Sequence, residues 1–401
     1  VTYRIAVALQ NGTTTIQGLP CSDGTFAFGH NGDAFPIIYA GNRYSAVASR
    51  NITTSQTTLR VLKSTDNGAT WTELDGANSP AGGEPRQICA SYFRGGTSVI
   101  VGGSLDGSSK MRFKTIDLSA GTPAWSAFTA STADQPDDCL VAQRVNGDLL
   151  CVYVKNSSGN VLFTVYSSGA WSAPVTLSTT TSGGLASMYF DPVSGTATVL
   201  FYDGVANTAY AIAISSSNSV GSAIAVTDSD LTNASSSGTV SHGVGFGGKA
   251  YFGYQTSGLA ARKLAQTDSL SAPTTLTYIT VDSSATGEGG YQVYLNAAGT
   301  TLCATWEVDV AKVITITDGA EHVLITTSTS TNGSTWGSPA TYLDSRQISG
   351  WEFANEIRFS MMTATDLGSG ETGMNIWDNA DVMYSIFTVP AASTSKANSA
   401  Y

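Results

Sequence analysis

Acidic side chains are the groups in this chain best suited to chemistry, and they fall in three places. Asp33 lies near the N-terminus, Asp137 and Asp138 open an apolar run, and Glu352 and Glu356 share a short extended stretch with Trp351 and Arg358. Alternate residues of a strand point to one side, which puts Glu352, Glu356 and Arg358 on a common face. Glycoside hydrolysis needs two carboxyl groups about 5–10 Å apart across a cleft, and a lyase needs a positioned acid and base. Asp33, Asp137, Asp138, Glu352 and Glu356 are therefore the catalytic candidates of an enzyme reading. The alternative is a hydrated lining, or carboxylates bridged to Arg358 and Arg346 without catalysis. Arg86, Arg346, Trp351, Glu352 and Arg358 then form a candidate ligand-binding set.

Other chemistry is thinly supplied. The histidines His30, His242 and His322 are too scattered for a short-range metal pair, and the five cysteines, Cys21, Cys89, Cys139, Cys151 and Cys303, contain no C-x-x-C. Neither a metal nor a cofactor is implied. Gly243-Val244-Gly245-Phe246-Gly247-Gly248 fits G-x-G-x-x-G, but an extended run from Lys249 to Gln255 follows where a dinucleotide site needs a helix. That segment reads as a hairpin turn. No G-x-S-x-G elbow occurs. A net charge of −11 without any basic cluster excludes nucleic acid as a partner. No apolar stretch approaches the roughly 20 residues of a membrane-spanning helix, and Val1-Thr2-Tyr3-Arg4 carries no signal-like apolar region.

The elements that must hold these residues are strands. Only 12% of the 401 residues are charged, 42% are hydrophobic, and 42 are glycine. Short alternating runs such as Thr58 to Lys63 and Val161 to Tyr166 are bounded by Gly, Asn, Ser and Asp clusters. Trp71, Trp125 and Trp171 recur about fifty residues apart, and Trp336 follows after about three such intervals, leaving room for two units without the tryptophan. One unit reads as four strands, Cys139 to Val145, Leu149 to Val154, Val161 to Tyr166 and Trp171 to Leu177, joined by tight turns. This is the pattern of a propeller blade.

Repeating the template predicts an all-β, seven-bladed β-propeller, with units near 24–78, 86–131, 137–178, 183–227, 236–279, 287–344 and 349–389. The N-terminal strand Tyr3 to Leu9, within residues 1–18, would complete the last blade and close the ring, which removes free sheet edges. Six blades is the competing count. Residues 1–390 form a single domain in this reading, and 391–401 a polar tail.

Ser64-Thr65-Asp66-Asn67-Gly68-Ala69-Thr70-Trp71 matches S-x-D-x-G-x-T-W in full. It resembles the Asp-box of the sialidase-like, or BNR-repeat, propeller superfamily. A degenerate copy, Thr329 to Trp336, keeps Gly333, Thr335 and Trp336 and places threonines at the Ser and Asp positions. Ser64, Asp66, Gly68, Thr70, Trp71, Gly333, Thr335 and Trp336 are thus read as structural, in a hairpin turn that the family keeps away from its active face. The resemblance also implies a test of activity. Sialidases carry an early aromatic-Arg-Ile-Pro motif, three arginines for the substrate carboxylate, an Asp acid, and a Tyr nucleophile paired with Glu. Tyr3-Arg4-Ile5-Ala6 resembles the first apart from its proline, and Asp33 lies where the acid is expected. The remainder cannot be placed, because no Glu occurs between Glu84 and Glu288 and only Lys312 interrupts the gap in basic residues from Lys263 to Arg346.

Two functions follow. The first is a non-catalytic surface module, extracellular or on a virion, whose partner is a glycan, a cell-surface component or neighbouring subunits of an assembly. The polar loops Gly76 to Arg86, Thr129 to Asp138, Thr227 to Gly238 and Leu343 to Trp351 suit hydrogen bonding to sugar hydroxyls. The second is a polysaccharide-cleaving hydrolase or lyase on the same scaffold, using the carboxylates named above.

Overall fold

The computed structural model describes residues 10–11, 14–15, 37–50, 57–66, 72–74, 81–82, 89–93, 99–105, 111–124, 136–344 apart from 145, 180–182, 192, 238–239, 242, 257–260, 284–290, 297–298 and 311–321, and 359–368, 371–378 and 383–388. These residues are nearly all β, with one α-helix, Ser229–Ser237. Every strand pairing is antiparallel, and the strands form consecutive sheets in chain order. Sheet 1 comprises Ile37–Tyr39, Asn42–Arg50, Thr57–Ser64 and Thr72–Leu74, with Ala81–Gly82 added on its third strand. Sheet 2 holds Cys89–Phe93, Val99–Leu105 and Met111–Asp117. Sheet 3 holds Pro136–Gln143, Leu149–Lys155 and Val161–Ser167, bordered by Ala170–Trp171 and Val175–Ser178.

Sheet 4 follows with Gly183–Phe190, Ala197–Asp203, Thr208–Ile214 and Ile224–Ala225, and sheet 5 with Val244–Phe246, Lys249–Gln255, Arg262–Thr267 and Leu276–Asp282. Sheet 6 is Tyr291–Leu295, Leu302–Val310, His322–Ser330 and Ala340–Asp344; sheet 7 is Phe359–Gly368, Glu371–Asp378 and Met383–Thr388. Each is an up-and-down meander. The first strand of each of sheets 2 to 6 lies against the next sheet, the first strand of sheet 7 also meets Ile37–Tyr39, and Thr14–Thr15 lies beside Met383–Thr388. A meander gives every sheet two ends. We call the end with the first-to-second and third-to-fourth turns the hairpin end. The other, with the second-to-third turns and the passages between sheets, is the connector end.

The strands form because their apolar residues alternate between two seams. In sheet 4, Val199 and Phe201 pack toward sheet 3 with Leu140, Val152 and Phe163, while Leu200, Ala209 and Ala211 pack toward sheet 5 with Ala250, Phe252 and Ala265. Burying each of the larger of these side chains is worth roughly 1.5–3 kcal/mol. Cys139 and Cys151 share the seam with Phe113 of sheet 2. They sit diagonally rather than opposite, since Cys139 pairs with Tyr153 and Cys151 with Val141.

Tryptophans at the start of the outer strands wedge against the preceding sheet. The Trp171 ring lies 5.3 Å from Phe113 and 5.2 Å from Tyr166, and Trp336 packs on the core of Tyr251 and Leu264. Sheets 4 and 5 fall in the interval between these two tryptophans, and in sheet 5 Leu270 packs on the corresponding seam. The 243–248 segment is a hairpin turn, with Gly247 and Gly248 at φ +57° and +77° between two paired strands. The earlier glycines leave room for Tyr189, which occupies the space that a Cβ on Gly245 would need.

The turn at 329–336 corrects the sequence alignment. Ser330 and Asn332, rather than Thr329 and Thr331, do the bonding: Ser330 Oγ accepts Gly333 N–H at 2.9 Å, and Asn332 Oδ1 accepts those of Ser334 and Thr335 at 2.9 and 2.8 Å. The Ser64 hydroxyl donates to Asp66 Oδ1 at 2.8 Å in the same relation as Ser330 to Asn332. Counted from these pairs, the later turn reaches its tryptophan one residue sooner. Gly68, Thr70 and Trp71 lie outside the described residues, as does the strand expected at Tyr3 to Leu9.

Candidate functional site

The connector end of sheets 4 to 6 carries a group of polar side chains linked by hydrogen bonds and ion pairs. Its centre is the helix Ser229–Ser237, where the sequence reading placed an open polar loop from Thr227 to Gly238. Asp228 caps the helix, its Oδ1 accepting the N–H groups of Asp230 at 2.9 Å and Leu231 at 3.3 Å. Leu231 and Ala234, three residues apart on one helix face, are buried on the seam between sheets 4 and 5.

The second oxygen of Asp228 accepts Tyr254 O–H at 3.1 Å and Lys263 Nζ–H at 3.0 Å, and Lys263 also reaches Asp230 at 3.1 Å. Burial alone would push the Asp228 carboxyl up, but the Lys263 ammonium, the Tyr254 hydroxyl and the Leu231 N–H hold it below its ordinary value. Burial would likewise lower Lys263, and the two carboxylates keep it raised. Burial first and Asp228 second push the Tyr254 hydroxyl far above the usual range. A carboxyl held ionised in this way is unsuited to act as a general acid near neutral pH. The assembly pins the helix to sheet 5. Beside it, Tyr278 Oη accepts Thr227 N–H at 2.9 Å.

Around this pin the same end offers hydroxyls and amides. Tyr202 O–H donates to Asn207 Oδ1 at 2.7 Å, and Asp203 Oδ1 accepts the N–H groups of Val205 and Ala206, both at 3.0 Å. Gly184, paired with Tyr202 on the neighbouring strand, has open space where a side chain would stand. Toward sheet 6, Arg262 is wholly buried and its charge acts on Tyr291. Burial raises the Tyr291 hydroxyl beyond the usual tyrosine range, with Arg262 opposing and Asp282 reinforcing the shift. The Tyr291 ring meets Trp306 edge-on at 6.4 Å.

Of the sequence candidates, Asp137 and Asp138 lie at the same connector end, one sheet away, in an irregularity at the start of the first strand of sheet 3 where the register jumps between Pro136 and Asp138. Asp33, Arg86, Arg346, Trp351, Glu352, Glu356 and Arg358 lie outside the described residues. Residues the sequence reading did not select are Tyr202, Asn207, Asp228, Lys263, Arg262 and Tyr291. Asp228 carried a local signal, an Asp followed by Ser-Asp-Leu, as an N-cap would be. Lys263 and Tyr254 are brought to it only by strand pairing.

No family model matches the chain, and no curated protein matches it in sequence. Solved structures do resemble it. The BP39L lectin from Burkholderia pseudomallei is 13% identical, with 91% of this chain and 97% of that chain covered, at a TM-score of 0.59. The Hadza microbial sialidase Hz136 is 12% identical over 92% of this chain and 66% of its own, at 0.42. A fungal lectin from Aleuria aurantia, described as a six-bladed β-propeller, is 12% identical over 90% and 96%, at 0.41. At 13% identity the likeness to the BP39L lectin is one of fold.

Proposed function

We propose that this protein is a sialidase-like β-propeller that binds carbohydrate at the connector end of its sheets and does not cleave it. The seven sheets of three or more strands among the described residues are read as seven blades, in one domain spanning 1–390, with residues 1–18 completing the last. The contact of the sheet 7 inner strand with Ile37–Tyr39, and of Thr14–Thr15 with Met383–Thr388, supports closure of the ring. The turns at Ser64 and Ser330 are read as two Asp-boxes, structural in role.

One observation carries the functional reading. At the connector end the carboxylates of Asp203, Asp228 and Asp230 are each engaged by backbone amides or by Lys263, while Tyr202, Asn207, Thr227 and Tyr278 offer hydroxyls and amides. That supply suits sugar hydroxyls better than bond cleavage. The lectin likeness at TM-score 0.59 agrees with it. An extracellular or surface setting goes with such a partner. Among the described residues no helix is long and apolar enough to cross a membrane.

A glycan array run beside a reducing-sugar release assay on the same glycans tests the proposal. Binding without release is expected, weakened by Y202A and N207A. Release of reducing ends, or binding that ignores both substitutions, overturns it.

A further inference from the structure

The opposite, hairpin end carries a buried cation that makes no ion pair among the described residues. Arg144 follows the first strand of sheet 3 and is 6% exposed. Its Nη2–H crosses the seam to donate to the Ser215 carbonyl of sheet 4 at 3.2 Å, and its Nε has no partner. Among the described residues no carboxylate forms an ion pair with it. Arginine is seldom buried to this degree unless paired, because stripping water from a charge is costly. Burial pulls its guanidinium below the ordinary value, and the charge of Asp148 only partly opposes this.

Arg144 meets sheet 4 at a loop of hydroxyls. Ser215 Oγ lies 2.9 Å from Ser217 Oγ, which lies 3.3 Å from Ser219 Oγ, and either member of each pair can donate. Ser215 Oγ accepts Ser219 N–H, and Asn218 takes a left-handed conformation at φ +66°. The amides of Ser216 and Ser217 make no bond within this exposed turn. The Asn218 amide is used by the Ser215 carbonyl and the Ser219 amide by Ser215 Oγ, which leaves the Ser216 and Ser217 amides as the donors open to an outside acceptor.

We propose that Arg144 and the Ser215–Ser219 loop form a site for a tetrahedral oxyanion, sulfate or phosphate, either free or as an ester on a saccharide. Guanidinium, hydroxyls and loop amides are all donors to such a group. Asp148 in the Arg144 turn and Asp191 across the seam are the nearby carboxylates. Asp148 is occupied by Asn146 Nδ2 at 2.8 Å, and Asp191 by the amides of Val193 and Ser194. Their charge keeps the affinity modest and leaves room for it to rise. The site lies at the other end of the sheets from the proposed sugar-binding face and stands independently of it.

Thermal unfolding of the full chain tests this, with sodium sulfate compared against sodium chloride at equal ionic strength, and galactose 6-sulfate against galactose. Sulfate stabilises folded proteins in general, so the reading is the difference between variants. At about ten times Kd the wild type is expected to gain roughly 1–3 °C over R144Q. D148N should enlarge that gain and S217A reduce it. A response to galactose 6-sulfate but not galactose assigns the site to esters, and a response to inorganic sulfate alone assigns it to the free ion; both uphold an oxyanion site. Equal sulfate responses in wild type, R144Q and D148N overturn it and leave Arg144 as a strut. Should R144Q fail to fold, opposite changes in D148N and S217A are still required.

Discussion

The Tyr251 hydroxyl fills the space that a Cβ on Gly333 would take. A ring from the second strand of sheet 5 thereby closes beneath a turn of sheet 6, and Gln266 donates to that hydroxyl at 3.0 Å to fix it. Sheet-to-sheet packing and turn conformation are decided at one glycine.

Gly333→Ala is therefore expected to be among the costlier glycine substitutions. Its φ of +77° would cost an alanine about 1–2 kcal/mol, and overpacking against Tyr251 would add roughly 1–3 kcal/mol. Gly147, at φ +89° with nothing near its Cβ position, carries only the first of these costs. Urea unfolding of the two variants should separate them; equal losses would mean that the Tyr251 contact is soft.

The helix pin gives stability a defined pH dependence. Asp228 is held below the ordinary carboxyl value of 3.8, so its contribution is present above that pH and lost as pH falls through the lower, folded value. Lys263, raised above 10.5, contributes below that pH and loses its contribution as pH rises through its folded value. Lys263→Met should cost roughly 1.5–3 kcal/mol at neutral pH, the range for hydrogen bonds to charged groups. It should also shrink the acid-side loss. Denaturation midpoints measured across the acid range check both.

A second carboxylate tests turn chemistry without burial. Asp268 accepts the Thr274 hydroxyl at 2.5 Å and the N–H groups of Thr274 and Thr275 at 2.8 and 3.2 Å, which lower it to about 2. Its small stabilising effect is complete above 3.8 and disappears as pH falls toward 2. In Thr274→Val the hydroxyl is gone, and a carbon-detected NMR titration should find Asp268 closer to its ordinary value. An unmoved titration would assign the shift to the amides.

Local pattern reached the strands but not their meetings. The alternation of Leu149 to Val154 and Val161 to Tyr166 is visible because each strand faces two apolar seams. Tryptophan spacing marked the outer strands because Trp171 and Trp336 each wedge against a preceding sheet. The helix at 229–237 was illegible: its serines, threonine and asparagine favour turns, and only Leu231 and Ala234 mark an apolar face. What holds it is Asp228 bound to Lys263, 35 residues away. Arg262 beside Tyr291 is likewise a product of sheet packing, with no trace in local spacing. The catalytic candidates Asp137 and Asp138 were legible as a pair; the break in register that places them is not a property of composition.

Asn332 offers a test of the realigned turn. Its Oδ1 accepts from Ser334 N, Thr335 N, Ser334 Oγ and Ser330 Oγ, at 2.9, 2.8, 3.1 and 3.2 Å. The side chain serves as an acceptor throughout, which is the role a carboxylate fills with stronger, charge-assisted bonds. Asn332→Asp places here the residue type that Asp66 supplies beside Ser64, and should leave stability unchanged or raise it by up to about 1 kcal/mol. Because the donors favour the ionised form, that gain should fade as pH falls through the new carboxyl's lowered pKa. Asn332→Ala, which leaves the turn donors without their acceptor, should instead cost about 1–2 kcal/mol. Thr331→Asp, the change suggested by the unshifted alignment, should gain nothing, since no turn amide is directed at position 331. Urea midpoints of the three variants at neutral and acid pH decide it: a gain in Thr331→Asp with a loss in Asn332→Asp would restore the unshifted alignment.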